Sequence, residues 1–557
     1  MAPNTTPSSG NASPTASVLD APLVSPVHPT AARRPADAIT VQGENTLYTD
    51  EHITSKFYNR GADVVVQDGN RYLIKPAVTP FEFRLSARSL RLGILMLVGI
   101  GGNNGTTLVA TILANRHNIA WHTKSTIQRP NYIGSLLRAS TIRLGLDATG
   151  KDIYAPLSDL LPMVHPNDLV LGGWDISGVP LDAAMKRAAV LEWDLQRQVA
   201  PYMKEFGTPL PSIYYPDYIA ANQEERADNV IPGNDKSFHL EQIRKDIRNF
   251  KATNNLDQVI VFWTANTERY SEIIPGVNDT AGAILSSIRN SHEEVAPSTV
   301  FAVASILEGV PFINGAPQNT FVPGVIELAE QHKSFIGGDD LKSGQTKLKS
   351  VLAEFLVNAG IKPLSIASYN HLGNNDGQNL SSQRQFRSKE ISKSSVVDDM
   401  VAANHLLYKT KAEVEAEQGE HPDHIVVIKY VPAVGDSKRA IDEYYSEIMG
   451  GGRSTINIFN ECEDSLLATP LILDLTILAE LLTRIQYRQL VNDADVEFKP
   501  LYPVLSLLSY MLKAPLVKPG TDVVNSLSRQ RNALETFLKA CIGLEGSSDL
   551  LLETRIW

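Results

Sequence analysis

Gly93-Ile94-Leu95-Met96-Leu97-Val98-Gly99-Ile100-Gly101-Gly102-Asn103-Asn104-Gly105-Thr106-Thr107 is the stretch on which the fold turns. Residues 93–99 form a short apolar run, the pattern of a strand buried on both faces. Over 106–115, Leu108, Ile112 and Leu113 recur at helical spacing. A glycine cluster between a strand and a helix is the setting in which such a motif binds a dinucleotide. Gly99 permits the tight turn. Gly101 and Gly102 let backbone N–H groups approach a pyrophosphate with no Cβ in the way. The helix then offers its N-terminus to the anion, and Thr106 and Thr107 cap it or donate to phosphate. Two features depart from the simple pattern. Gly105 falls one residue later than G-x-G-x-x-G requires. An acid that binds the ribose is expected about 20 residues on, but 118–124 hold no Asp or Glu. Asp175, in Gly172-Gly173-Trp174-Asp175, ends a predicted strand and is the candidate for that role, or for a helix cap.

Outward from the loop, the apolar runs 169–172, 258–263 and 299–304 read as further strands. Helical stretches 181–197, 240–251 and 280–291 lie among them. Strand alternating with helix predicts an α/β fold, a doubly wound parallel sheet of the Rossmann type over 93–345. Upstream, 1–38 is low in complexity and reads as a disordered tail. Residues 39–92 read as an arm or small strand layer, with strands near 62–67 and 72–75. Downstream, 344–359 reads as one helix. Three strand-like stretches follow at 363–369, 424–430 and 454–460, predicting an inserted, mainly β-sheet domain over 346–465. From 466 to 557 the chain reads as helices (466–488, 503–513, 523–541) that return to complete the first domain. The acidic segment 413–420 reads as a solvated loop.

The whole chain has 557 residues, too many for one core. With a net charge of −11 it offers no broad basic face for nucleic acid. Its two cysteines, Cys462 and Cys541, exclude a disulfide framework and suit a reducing, cytoplasmic location. The longest apolar stretch, 466–482, contains Pro470, Asp474 and Glu480, so it reads as a buried helix and not a membrane span. No His, Asp or Glu spacing matches a metal site, and no Ser-His-Asp signature of a hydrolase is found.

Residues 337–395 concentrate polar chemistry: Gly338-Asp339-Asp340-Leu341-Lys342-Ser343-Gly344, Tyr369-Asn370-His371-Leu372-Gly373-Asn374-Asn375-Asp376-Gly377 and Ser388-Lys389-Glu390-Ile391-Ser392-Lys393-Ser394-Ser395. Lys389 and Lys393 share a helical face. Two cations facing one pocket suit an anionic ligand such as a phosphate monoester. A desolvated lysine beside other cations can act as an acid or base near neutral pH. Gly435-Asp436-Ser437-Lys438 and Glu463-Asp464-Ser465 add polar groups at predicted strand ends.

With Pro211-Ser212-Ile213-Tyr214-Tyr215, Trp263-Thr264-Ala265-Asn266-Thr267-Glu268-Arg269 and Leu512-Lys513-Ala514-Pro515, these blocks closely resemble the eukaryotic inositol-3-phosphate synthase (myo-inositol-1-phosphate synthase) family. The resemblance runs from about residue 40 to the C-terminus, the insert near 409–422 excepted. It implies an NAD-dependent isomerase that converts D-glucose 6-phosphate to 1D-myo-inositol 3-phosphate. The steps are oxidation at C5, enolisation, intramolecular aldol closure and re-reduction, with no net redox change. By resemblance, Lys389 is the proton partner of O5. Lys438 and Lys513 stabilise oxygens during enolisation and ring closure. Lys393, with Ser343 and Asn370, holds the phosphate, and Asp340 orients Lys389 or a substrate hydroxyl. No residue is assigned as the C6 base, a part the substrate's own phosphate can take. The resemblance carries cofactor contacts to Gly101, Gly102, Asn103, Asn104, Asp175, Ser212, Arg226, Thr264, Ala265, Asn266, Thr267, Gly315, Ala316, Asp340, Ser343, Asn374, Asn375, Asp376, Lys389, Gly435, Asp436, Asp464 and Ser465. Ala316 stands where relatives can carry serine. A homotetramer built through the sheet domain, and no nucleic-acid or membrane partner, complete the expectation. Two other readings share the loop and lysines: a sugar-phosphate dehydrogenase that releases NADH, and a non-catalytic nucleotide sensor.

Overall fold

The computed structural model describes residues 39–67, 71–86, 94–414, 419–490, 496–502, 506–517 and 523–546. The tail read over 1–38 lies outside the described residues. Six strands form one parallel sheet in the order Leu210–Pro211, Val170–Asp175, Ile94–Val98, Ile260–Trp263, Phe312–Asn314, Ile336–Gly337. Numbered along the chain, that order is 3-2-1-4-5-6, the doubly wound Rossmann arrangement. The order reverses between Ile94–Val98 and Ile260–Trp263, and the loop at 99–102 leaves the sheet at that switch point.

The strands are apolar throughout because both faces are covered. Leu95, Leu97 and Phe262 enter one core with Leu108 and Ile112 of the helix Asn103–Arg116 and with Ile472 and Leu475. Met96, Val98, Val261 and Trp263 enter the opposite core with Ile243, Ile284, Val300 and Val325. The helix Asp464–Thr483 is long and apolar enough to cross a membrane, yet it runs through the first core. Asp474 there accepts from Ser135 Oγ and Leu136 N, and Glu480 pairs with Arg484 at 2.6 Å.

A second sheet, in the order Asp423–Tyr430, Lys362–Leu372, Ser437–Ile448, Gly452–Glu463, is inserted between Ile336–Gly337 and Asp464–Thr483. Its first pair is parallel and the other two antiparallel. The helix Gly344–Asn358 covers one face through Ala353 and Leu356. The other face is open: Tyr369, Ile441 and Phe459 are exposed in one cross-strand row.

Four sequence expectations need correcting. Residues 299–304 are not a strand but lie in the helix Pro297–Leu307, buried at all but its last position. A helix buried all round has no polar stripe, so its period is invisible. The 181–197 helix is two, Leu181–Ala188 and Trp193–Lys204, broken where Ala189 turns left-handed at φ 50°. The 466–488 helix ends at Thr483. Residues Ile485–Gln489 then form a strand that pairs with Arg71–Ser86 and, with Lys499–Pro500, completes the 39–92 layer as a five-stranded sheet. The C-terminal part is thus not purely helical, and within 503–513 the described turn is the 3-10 segment Ser506–Met511. The alternating strand Ser437–Ile448 went unread.

Candidate active site

The loop at the switch point is built by close approach. Gly99 takes φ 90°, and a Cβ there would stand 2.6 Å from Ala265 Cα. Gly105 resolves the register question: a Cβ on it would stand 2.4 Å from Ile100 O, so it lets the helix pack on its own loop. That is the part the third glycine of the fingerprint plays, one residue late because Asn103 already opens the helix. Asp175 caps no helix. Its carboxylate accepts from Gly101 N (2.8 Å) and Ser177 N (2.9 Å), so it braces the loop. Arg187, unread in the sequence, donates to Gly101 O at 2.6 Å.

One cleft of about 1290 Å³, its open mouth included, joins this loop to the inserted sheet. Its walls include Gly102, Asn103, Asn104, Asp175, Ser212, Arg226, Thr264, Ala265, Asn266, Thr267, Gly315, Ala316, Asp340, Ser343, Asn374, Asn375, Asp376, Lys389, Lys438, Asp464, Ser465 and Lys513. Gly101, Asn370, Lys393, Gly435 and Asp436 do not line it. Asp436 accepts from Ser465 N (2.8 Å), Ser465 Oγ (2.7 Å) and Asn103 Nδ2 (3.3 Å), tying the sheet domain to the loop helix. Lys393 and Asn370 form a buried pair, Nζ to Oδ1 at 3.2 Å.

Asp340 is the centre of the charged groups. Its Oδ1 accepts from Lys389 (3.0 Å) and Lys513 (3.1 Å), and its Oδ2 from Ser392 (2.6 Å). Lys513 arrives because the chain at 511–516 pairs antiparallel with 338–342. Asp339 N donates to Ala514 O, Lys513 N to Asp340 O and Lys342 N to Met511 O, all within 2.8 Å. Lys438 meets Asp464 at 3.3 Å. Lys389 and Lys393 do share one helix, Gln383–Ser394. The anion that neutralises Lys389 is, however, a protein carboxylate.

Burial would raise the Asp340 carboxyl, but Lys389 and Lys513 hold it far below the usual carboxylate range. Burial would likewise raise Asp464, and Lys438 and Lys389 lower it. Lys389, against the pull of burial, is raised by Asp340 and Asp376 and stays charged. Burial lowers Lys513 to about 7, with Lys389 and Lys438 pushing the same way and Asp340 resisting. Lys393 is pushed well down by burial and by Lys438, Lys513 and Lys389. The cluster thus holds standing cations beside a lysine that exchanges a proton near neutrality.

The residues fit a dinucleotide. The glycine turns leave no space for side chains, the helix N-terminus faces the cleft, and two buried donors on its wall are unused. These are Asn266 Nδ2 and Arg226 Nε, which make no hydrogen bond among the described residues. Among the described residues no group of His, Cys, Asp or Glu could hold a metal.

A Rossmann switch point that opens onto buried lysines is the setting of a dinucleotide-dependent enzyme. Residues 92–539 match the family model described as myo-inositol-1-phosphate synthase. The chain is 55% identical over 533 residues to the inositol-3-phosphate synthase of Saccharomyces cerevisiae, covering 94% of this chain and 98% of that one. It is 55% identical to that of Dictyostelium discoideum, covering 93% and 99%. The crystal structure of inositol-3-phosphate synthase from Caenorhabditis elegans superposes with a TM-score of 0.87 at 50% identity, covering 92% and 98%. The chain belongs to the myo-inositol-1-phosphate synthase family.

Proposed function

We propose that the chain converts D-glucose 6-phosphate to 1D-myo-inositol 3-phosphate as an NAD-dependent isomerase. The observation that carries the reading is the sharing of Asp340 Oδ1 by Lys389 and Lys513 on the wall of a nucleotide cleft. Bound NAD supplies the oxidant for C5 and, at the end, the reductant that restores it. The residues that would hold it are the loop at 99–104, Asn266 and Arg226.

The lysines handle the protons. Lys389, kept charged by Asp340, orients the C5 hydroxyl. The proton leaving O5 enters the Lys389–Asp340–Lys513 unit through the neutral form of Lys513. The unit then holds two ammonium groups, which with Lys438 stabilise the oxyanions of enolisation and ring closure. The C6 proton passes to the substrate's own phosphate and from there to the alkoxide formed at O1, and the O5 proton returns to O5 at the end, so the cycle closes without net charge. Ser343 stands on the cleft wall at the start of the helix Gly344–Asn358, which supports its contact with the phosphate. Lys393 and Asn370, paired with each other and off the cleft wall, would support that subsite without touching the phosphate.

The test is incubation with glucose 6-phosphate and NAD and identification of the product by NMR. A cyclitol phosphate without accumulated NADH is expected. Absorbance at 340 nm rising in step with substrate consumed would instead mean a dehydrogenase. Lys389→Ala is expected to lower kcat by at least about 100-fold while NAD still binds in a fluorescence titration, an outcome a nucleotide sensor does not give.

For the assembly we propose a homotetramer in the cytoplasm, built through the open sheet face. An exposed row of Tyr369, Ile441 and Phe459 across three strands is an apolar patch suited to an interface. Phe459→Lys is expected to lower the mass found by light scattering, and an unchanged mass would place the interface elsewhere.

A further inference from the structure

The carboxylate of Asp340 is held unevenly. The side-chain nitrogens of Lys389 and Lys513 share Oδ1, while Oδ2 takes the hydroxyl of Ser392 at 2.6 Å. Ser392 lies on the helix Gln383–Ser394, three residues after Lys389, so both reach the carboxylate from one helix face. It is 2% exposed and does not line the cleft, so a substrate there does not meet it. None of the roles above uses it.

We propose that Ser392 is a positioning residue: by fixing Oδ2 it sets the plane of the Asp340 carboxylate, and thereby the point where Lys389 and Lys513 meet. The proposal rests on the reading of this cleft as the place of sugar oxidation. A carboxylate turns readily about its last side-chain torsion, which has broad, roughly two-fold wells. Without the hydroxyl, the hydrogen bonds left to that carboxylate among the described residues come from the two lysines it is meant to place. Rotation moves Oδ1 away from at least one of them. Misplacing a reacting group by about 1 Å costs on the order of 100-fold in rate. A tie that merely joined helix to loop would act on stability instead, and the backbone pairing of 338–342 with 511–516 already holds that loop.

The experiment is Ser392→Ala in the full chain with NAD. The expected result is a kcat lowered about 10- to 100-fold, with KM and NAD affinity changed less than about threefold. The deuterium isotope effect on kcat with glucose 6-phosphate labelled at C5 is expected to rise, because the step that breaks the C5–H bond becomes slower. Unchanged kcat and isotope effect overturn the proposal. So does a loss of activity that tracks an equal loss of NAD affinity or of thermal midpoint, since that is what a structural tie would produce. If the wild type yields no cyclitol phosphate, the parent reading falls and takes this one with it. Wild-type product beside an unaffected Ser392→Ala removes this assignment alone.

Discussion

At the scale of the residue, the chemistry follows from a contest between burial and charge. Burial neutralises Lys513 near pH 7, and neighbouring ammonium groups help it. The proposed cycle begins with Lys513 neutral, so kcat/KM should fall as pH drops through about 7. Lys438→Met removes a nearby positive charge and takes from Asp464 its ion-pair partner, leaving more of its negative charge to act on Lys513. Both changes favour the proton on Lys513, so the acid limb should move to higher pH, as a kcat/KM profile across about pH 5.5 to 8.5 would reveal. A limb that stays in place, or moves down, would remove Lys513 from this role. Asp175 makes a different point. It sits at the strand end that sequence reasoning picked, but its oxygens brace the loop backbone.

At the scale of the element, the glycine loop is a packing solution before it is a binding one. Gly105→Ala must push the helix Asn103–Arg116 off the turn, since no flexible side chain is there to yield. Its expected signature is NAD affinity weakened by at least about tenfold, with kcat recovering at saturating NAD, read by fluorescence titration and steady-state kinetics. This loop was legible because its signals are local: an apolar run, a glycine cluster and a helical period within fifteen residues. The pairing that brings Lys513 to Asp340 spans 173 residues of chain, and no periodicity announces it. Only family resemblance reached it. Ser392 and Arg187 carried no signal beyond being a serine and an arginine in helices. The helix Pro297–Leu307 and the strand Ile485–Gln489 were misread for opposite reasons. The first has no polar face to mark its period, and the second takes its form from a partner strand some 400 residues earlier.

At the scale of the whole molecule, the cleft has walls from three layers: the parallel sheet, the inserted sheet and the returning C-terminal chain. A ligand that touches all three stabilises their mutual arrangement. At about 100 times its dissociation constant, NAD should add ~2.7 kcal/mol to folding stability. A thermal-shift assay should show a rise in Tm that is smaller in Gly105→Ala at the same NAD concentration. No rise in the wild type would mean the three layers hold their arrangement without the nucleotide binding there.

The antiparallel pairing of 338–342 with 511–516 also has a consequence for biosynthesis. A ribosome makes the loop, the parallel sheet and Lys389 long before it reaches Lys513. Until then the segment 338–342 lacks its pairing partner, and the first core lacks Leu508, Met511, Leu512 and Leu534. In the proposed cycle such a chain has no acceptor for the proton of O5. On that reading catalytic competence arrives only when almost the entire message has been translated, so a transcript cut short is expected to leave an inert protein and not an uncontrolled oxidase.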